Sequence, residues 1–157
     1  MLKKYMKVEM KFGSHSDTHP HVNNLNYEKN MKELENSNDK IKRITGKRIS
    51  LYRAPYGEYN DIVIKASNDF NCKTIQWSID TLDYTGKKGE EMWKRIEDKI
   101  SMGDIILMHN GTKYTAESLD MIIKNIKRLD YDIVKVSDLI YKDDYYIDNS
   151  GVQIKNN

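Results

Sequence analysis

Strand-like and helix-like stretches alternate along almost the whole chain, and this alternation restricts the fold more than any other feature. Short apolar runs occupy residues 8–13, 49–52, 73–78, 104–108 and 131–136. Between them the apolar residues recur at helical spacing. Over 26–45 the stripe is Tyr27, Met31, Leu34, Ile41 and Ile44, interrupted by Asn38 and stopped at Gly46. Over 60–70 it is Ile62, Val63, Ala66 and Phe70, and over 90–100 it is Met92, Trp93, Ile96 and Ile100. Thr115 is placed to cap a helix whose inner face is Leu119, Ile122, Ile123, Ile126 and Leu129, and Ser137 to cap a last short helix ending at Ile140. Strands joined by helical crossovers form a parallel sheet. In a barrel of such strands, reactive groups gather at the C-terminal strand ends.

Four polar motifs lie at those ends. They are His15-Ser16-Asp17-Thr18-His19-Pro20, Arg53-Ala54-Pro55-Tyr56-Gly57, Asp80-Thr81-Leu82-Asp83-Tyr84 and Leu107-Met108-His109. His15 and His19 are metal-ligand candidates, since imidazole suits zinc, nickel and cobalt, and Pro20 keeps the pair off a helix. The same spacing also fits two surface histidines in a polar loop. His21 is expected to be exposed and without a partner. Arg53 could hold a carboxylate with two parallel hydrogen bonds, or simply point into solvent from a turn. The Tyr56 N–H could face a developing oxyanion. Asp80 and Asp83 read either as turn formers or, for one of them, as a carboxylate that orients a histidine. His109 could protonate a leaving group, or be hydrogen-bonded structure.

Composition narrows the partners. The 157 residues suit one domain, with 38% apolar and 32% charged residues, enough apolar content for one core. A net charge of +2 gives no footprint for nucleic acid. The single cysteine, Cys72, precludes a disulfide within the chain and reads as a buried thiol. No apolar run is long enough to span a bilayer. Residues 1–7 are basic but lack an apolar stretch behind them, so no signal peptide is expected in this chain. The expected organisation is one domain over 1–141 and a loose polar tail over 142–157.

Taken in order, the four motifs resemble those of the polysaccharide deacetylase family, also called the nodulation-protein-B homology domain or carbohydrate esterase family four, and the likeness runs from about Phe12 to Ile140. The resemblance implies an α/β fold, a distorted (β/α) barrel, and removal of acetyl groups from chitin, peptidoglycan or xylan with a divalent metal, zinc first and cobalt or nickel as alternatives. It implies that His15 and His19 bind that metal, that Arg53 positions the catalytic base, and that the Tyr56 N–H faces the oxyanion. Asp83 would tune the general acid His109, with Asp80 beside it, and Leu107 would line the acetyl pocket. Tyr84 stands where the family has tryptophan and would keep a smaller aromatic wall.

One departure matters most. The family's opening Thr-Phe-Asp-Asp motif, source of the base and the third metal ligand, is absent; Glu9 is the only acid before Gly13. The barrel is therefore expected to lack its first strands and helix, as an N-terminally truncated domain, and its open sheet edge would favour a homodimer. The expected function is metal-dependent removal of N-acetyl groups from a cell-wall polysaccharide outside the membrane. The alternative is a glycan-binding module that has kept the groove without turnover.

Overall fold

The computed structural model describes residues 10–156, and these fall into two compact units that divide between Gln76 and Trp77. Glu9 and the first part of the strand expected over 8–13 lie outside the described residues.

The first unit is a small parallel β/α assembly. Helix α1 (Tyr27–Thr45) starts where the Asn26 side chain accepts the Lys29 N–H at 3.0 Å, and stops at Gly46, whose φ of 73° sends the chain left-handed. Strand β1 (Leu51–Tyr52) pairs in parallel with β2 (Lys73–Thr74), and Ser14 bridges in parallel to Tyr52 on β1. Between β1 and β2 runs α2 (Asp61–Asp69), capped by Asn60, which accepts the Val63 N–H. Leu34, Ile49, Tyr52, Val63, Ala66 and Cys72 fill the core. Burial pushes the Cys72 thiol up to about 11, as expected of an inert structural cysteine. Asn38, which breaks the apolar stripe of α1, is itself buried, and its side-chain oxygen accepts the Ile49 N–H at 3.3 Å. The interruption is thus a polar tie from helix to strand entry.

In the second unit β3 (Ile79–Asp80) pairs in parallel with β4 (Ile106–Leu107). Helices α3 (Gly89–Ile96) and α4 (Thr115–Arg128) pack over them, with Met92, Ile96, Ile122 and Ile126 buried alongside Ile79. A short helix α5 (Val136–Leu139) leads to an antiparallel hairpin of β5 (Tyr145–Ile147) and β6 (Gln153–Lys155).

Several sequence expectations need correction. The strand expected over 73–78 is broken: β2 ends at Thr74, and the ladder resumes only at Ile79 on a different partner. Residues 131–135 join no ladder, and Ile133 and Val134 are exposed. The tail expected to be loose contains the β5–β6 hairpin. Its turn is closed by Asp148, whose carboxylate accepts from the Ser150 N–H, the Ser150 hydroxyl and the Val152 N–H. Ile62, Leu119 and Leu129, expected inward, are exposed.

Candidate active site

The first unit presents the two histidines on a strained turn. Ser14 donates its N–H to the Leu51 carbonyl (2.8 Å) and accepts the Arg53 N–H (2.9 Å), so the ladder delivers the chain to His15. The His15 Nδ1 lies 2.6 Å from the Arg53 carbonyl oxygen. A carbonyl only accepts, so Nδ1 carries the proton and Nε2 is the basic nitrogen of the neutral ring. A histidine that holds a metal is commonly oriented by such an acceptor on its other ring nitrogen. Arg53 thus contributes its backbone to His15. The His15 and His19 rings meet edge to face with centroids 4.9 Å apart.

Ser16 and His19 both have positive φ, at 70° and 58°, which is costly for residues with a Cβ. Helix α1 holds this turn in place. The Glu33 carboxylate accepts the Ser16 hydroxyl (2.5 Å), the Asp17 N–H (2.8 Å), the Thr18 N–H (2.8 Å) and the Thr18 hydroxyl (2.8 Å). Burial pushes Glu33 upward, but the four donors outweigh it and hold the carboxyl below its ordinary value. One helical turn on, the Ser37 hydroxyl meets that of Ser14 at 2.6 Å, and farther on Lys40 pairs with Asp17. Glu33, Ser37 and Lys40 therefore form a polar stripe at i, i+4 and i+7, which points one face of α1 at the histidine turn. Nothing in the four motifs pointed to these residues; the helical spacing of a polar triplet was the available signal.

Tyr56 follows Pro55 with φ 59° and ψ 7°. Among the described residues no acceptor takes its N–H. Its ring, 56% exposed, lies edge-on to His19 at 4.7 Å and stacks on His21 at 4.1 Å. His21, expected to lack a partner, also reaches Glu58 with Nδ1 at 2.6 Å. The His21 hydrogen bond is the main cause of the lowered Glu58 pKa.

The second unit carries a histidine held by a buried carboxylate. Asp83 is 0% exposed and opens a tight turn after Leu82, whose φ is 53°. One carboxylate oxygen accepts His109 Nδ1 at 2.7 Å; the other accepts the His109 N–H at 2.6 Å and the Thr115 hydroxyl at 2.7 Å. Burial pushes Asp83 upward, yet these donors hold it below its ordinary value, so it is ionised. Thr115 was expected to cap α4; instead its hydroxyl serves the carboxylate. The Tyr84 ring stands edge-on to His109 at 5.2 Å. Leu107 is buried on β4, and its carbonyl accepts the Thr81 hydroxyl at 2.9 Å. Asp80 accepts the Leu82 N–H at 2.8 Å, the geometry of a turn former.

The donor chemistry fits two ligand positions of a divalent cation, His15 and His19. Among the described residues no group of three or more His, Cys, Asp or Glu gathers to complete a site. The second unit can perform acid–base chemistry: an ionised carboxylate fixes Nδ1–H, leaving Nε2 to exchange a proton with a bound molecule.

Comparison with known proteins agrees with the resemblance in the motifs. The polysaccharide deacetylase family model matches residues 1–75. An uncharacterised 30.6 kDa protein of Geobacillus stearothermophilus is 30% identical over 145 residues, covering 89% of this chain and 54% of that protein. The peptidoglycan-N-acetylmuramic acid deacetylase PdaA of Bacillus subtilis is 28% identical, covering 83% and 51% respectively. The chain therefore spans about half the length of these curated relatives. Among solved structures, a carbohydrate esterase family 4 pseudoenzyme from Bacillus anthracis superimposes with a TM-score of 0.81 at 29% identity, over 88% of this chain and 51% of that one. A mutant of that pseudoenzyme with restored enzymatic activity is also known. In sequence pattern, relatives and backbone alike, this chain is similar to the polysaccharide deacetylase family, whose solved members include pseudoenzymes.

Proposed function

We propose that this chain takes part in hydrolytic removal of N-acetyl groups from a cell-wall polysaccharide, peptidoglycan first, outside the cell membrane. The observation that carries the reading is the His109 imidazole pinned through Nδ1 by the fully buried, ionised Asp83. A histidine so held donates a proton from Nε2 to a departing amine, and the adjacent carboxylate stabilises the imidazolium before transfer. The Tyr56 N–H, which no acceptor among the described residues takes, is suited to donate to an oxyanion. His15 and His19 would hold a divalent cation, zinc first, which when bound supplies Lewis-acid polarisation of a carbonyl. The relatives' names support the substrate class, and no helix among the described residues is long and apolar enough to cross a membrane.

A second reading, a glycan-binding module without turnover, is favoured by one observation: the described residues supply two metal donors where a catalytic site uses three. Acetate release from N-acetylated peptidoglycan and chitooligosaccharides, with zinc or cobalt added, separates the two. Under the first reading acetate appears, and His109→Ala lowers its rate by about 10²–10⁴-fold. Glycan binding with no acetate release, at any metal concentration, would replace it with the second.

A further inference from the structure

We propose that Glu33 is a positioning residue for the His15–His19 pair, acting as the shared acceptor that folds the intervening turn. The inference rests on the reading of that pair as metal ligands. The turn is unfavourable by itself: Ser16 and His19 both have left-handed backbone, and neither is glycine. Three residues lie between the histidines, and all three present donors to one carboxylate. The Ser16 hydroxyl, Asp17 N–H and Thr18 N–H converge on Oε2, and the Thr18 hydroxyl takes Oε1. Two of these donors are backbone N–H groups, which cannot reverse their role. Glu33 itself stands on the second turn of a 19-residue helix capped at both ends, so the acceptor is rigidly placed. The Ser14–Ser37 hydrogen bond fixes the strand side of the same turn to the same helix face. Glu33 thus sets where the second imidazole falls relative to the first by holding the residues between them.

This geometry demands an acceptor rather than a charge. A glutamine placed with its carbonyl oxygen at the Oε2 position would still take both backbone N–H groups, and its amide would donate to the Thr18 hydroxyl, which can accept. Alanine offers nothing, though it is the better helix former. The test combines cobalt(II) titration, followed by its visible absorption, with amide exchange at Asp17 and Thr18 in the metal-free chain. Outer partners of metal ligands typically change affinity 10–100-fold. The expected result is cobalt binding weakened about 10–100-fold by Glu33→Ala, restored nearly to the parent by Glu33→Gln, with Asp17 and Thr18 amides exchanging faster only in the alanine variant. Should Glu33→Ala not fold, Thr18→Val removes a donor from the loop side and is expected to weaken cobalt binding in the same direction. Parent-like cobalt affinity and parent-like amide exchange in folded Glu33→Ala would overturn the proposal while leaving the metal reading intact. If the parent takes up no cobalt, the metal reading fails. The exchange measurement then decides alone: faster amides support Glu33 as organiser of the turn, and unchanged amides overturn it.

Discussion

At the scale of single residues, the contact between Asp83 and His109 is the most consequential chemistry in the chain. An ionised carboxylate has no proton to give, so the imidazole must donate through Nδ1, and the tautomer is decided by the protein rather than by solvent. Nitrogen-15 spectra of the neutral ring are expected to show Nδ1 protonated in the parent and a mixture of tautomers in Asp83→Asn, whose amide can present either end. Equal tautomer populations in the two proteins would refute the assignment. Thr115 supports the carboxylate rather than the ring. Its hydroxyl is nearly buried, donates to Asp83 and accepts from the Thr112 hydroxyl, so Thr115→Val leaves shape intact and removes a hydrogen bond to a buried charge together with the Thr112 contact. That loss is expected to cost about 1.5–3 kcal/mol in urea unfolding. The pairing of a motif carboxylate with a histidine was legible in the sequence, and the structure identifies Asp83 and His109 as the pair. Thr115 and Glu33 were not legible, because each acts on a group 15 to 32 positions away and looks like an ordinary helix residue.

At the scale of elements, helices were easier to read than strands. The extent of α1 and its Gly46 stop appear in the sequence and in the structure within a residue, although Ile44, the last position of the stripe, is exposed. Strands were overestimated, because an apolar run such as 73–78 contributes only Lys73 and Thr74 to its first ladder before the chain turns to another partner. Residues 131–135 show the same limit: Tyr131 packs against the core, while Ile133 and Val134 are exposed in a connection that joins no ladder. The β5–β6 hairpin was missed because its signal is the turn chemistry of Asp148, Ser150 and Gly151 rather than apolar alternation. The first ladder has a backbone constraint that tests how His15 is delivered. A Cβ on Gly13 would lie 2.9 Å from the Leu51 carbonyl oxygen, the same oxygen that accepts the Ser14 N–H. Gly13→Ala is expected to displace the ladder, destabilise by about 1–3 kcal/mol and move the His15 ring signals in NMR spectra. Gly46→Ala is the control, since nothing lies within 4 Å of its added carbon and only the left-handed backbone is penalised. It is expected to cost about 1–2 kcal/mol and leave the His15 and His19 signals in place. Identical ring shifts in both variants would show that the ladder does not set the histidine.

At the scale of the whole molecule, five carboxylates among the described residues depart from their ordinary values in one direction, and this governs how the protein meets acid. Glu33, Glu58, Asp69, Asp83 and Asp148 all titrate below their ordinary values, each because donors or a cation reward the ionised form. For Glu33 and Asp83 the largest single influence, burial, acts upward and is outweighed by several hydrogen bonds together. When the folded value lies below the unfolded one, the unfolded chain binds more protons between the two, and stability rises with pH across that interval. The contribution is therefore complete above the unfolded carboxylate values near 4, and is lost as pH falls through the folded ones. The melting temperature is expected to hold between pH 7 and 5 and to drop steadily from there to pH 3. The contributors differ in how they respond to salt. Glu58, Asp69 and Asp148 are solvent-facing and screened, whereas Asp83 is enclosed. Added salt should trim the acid-induced loss only in part, and Asp83→Asn, lacking the enclosed titrating group, should show a shallower fall than the parent at any salt concentration. A parent and Asp83→Asn with superimposable pH slopes would mean that the buried carboxylate titrates alike in folded and unfolded chains, and the ionised anchor assigned to His109 would have to be abandoned.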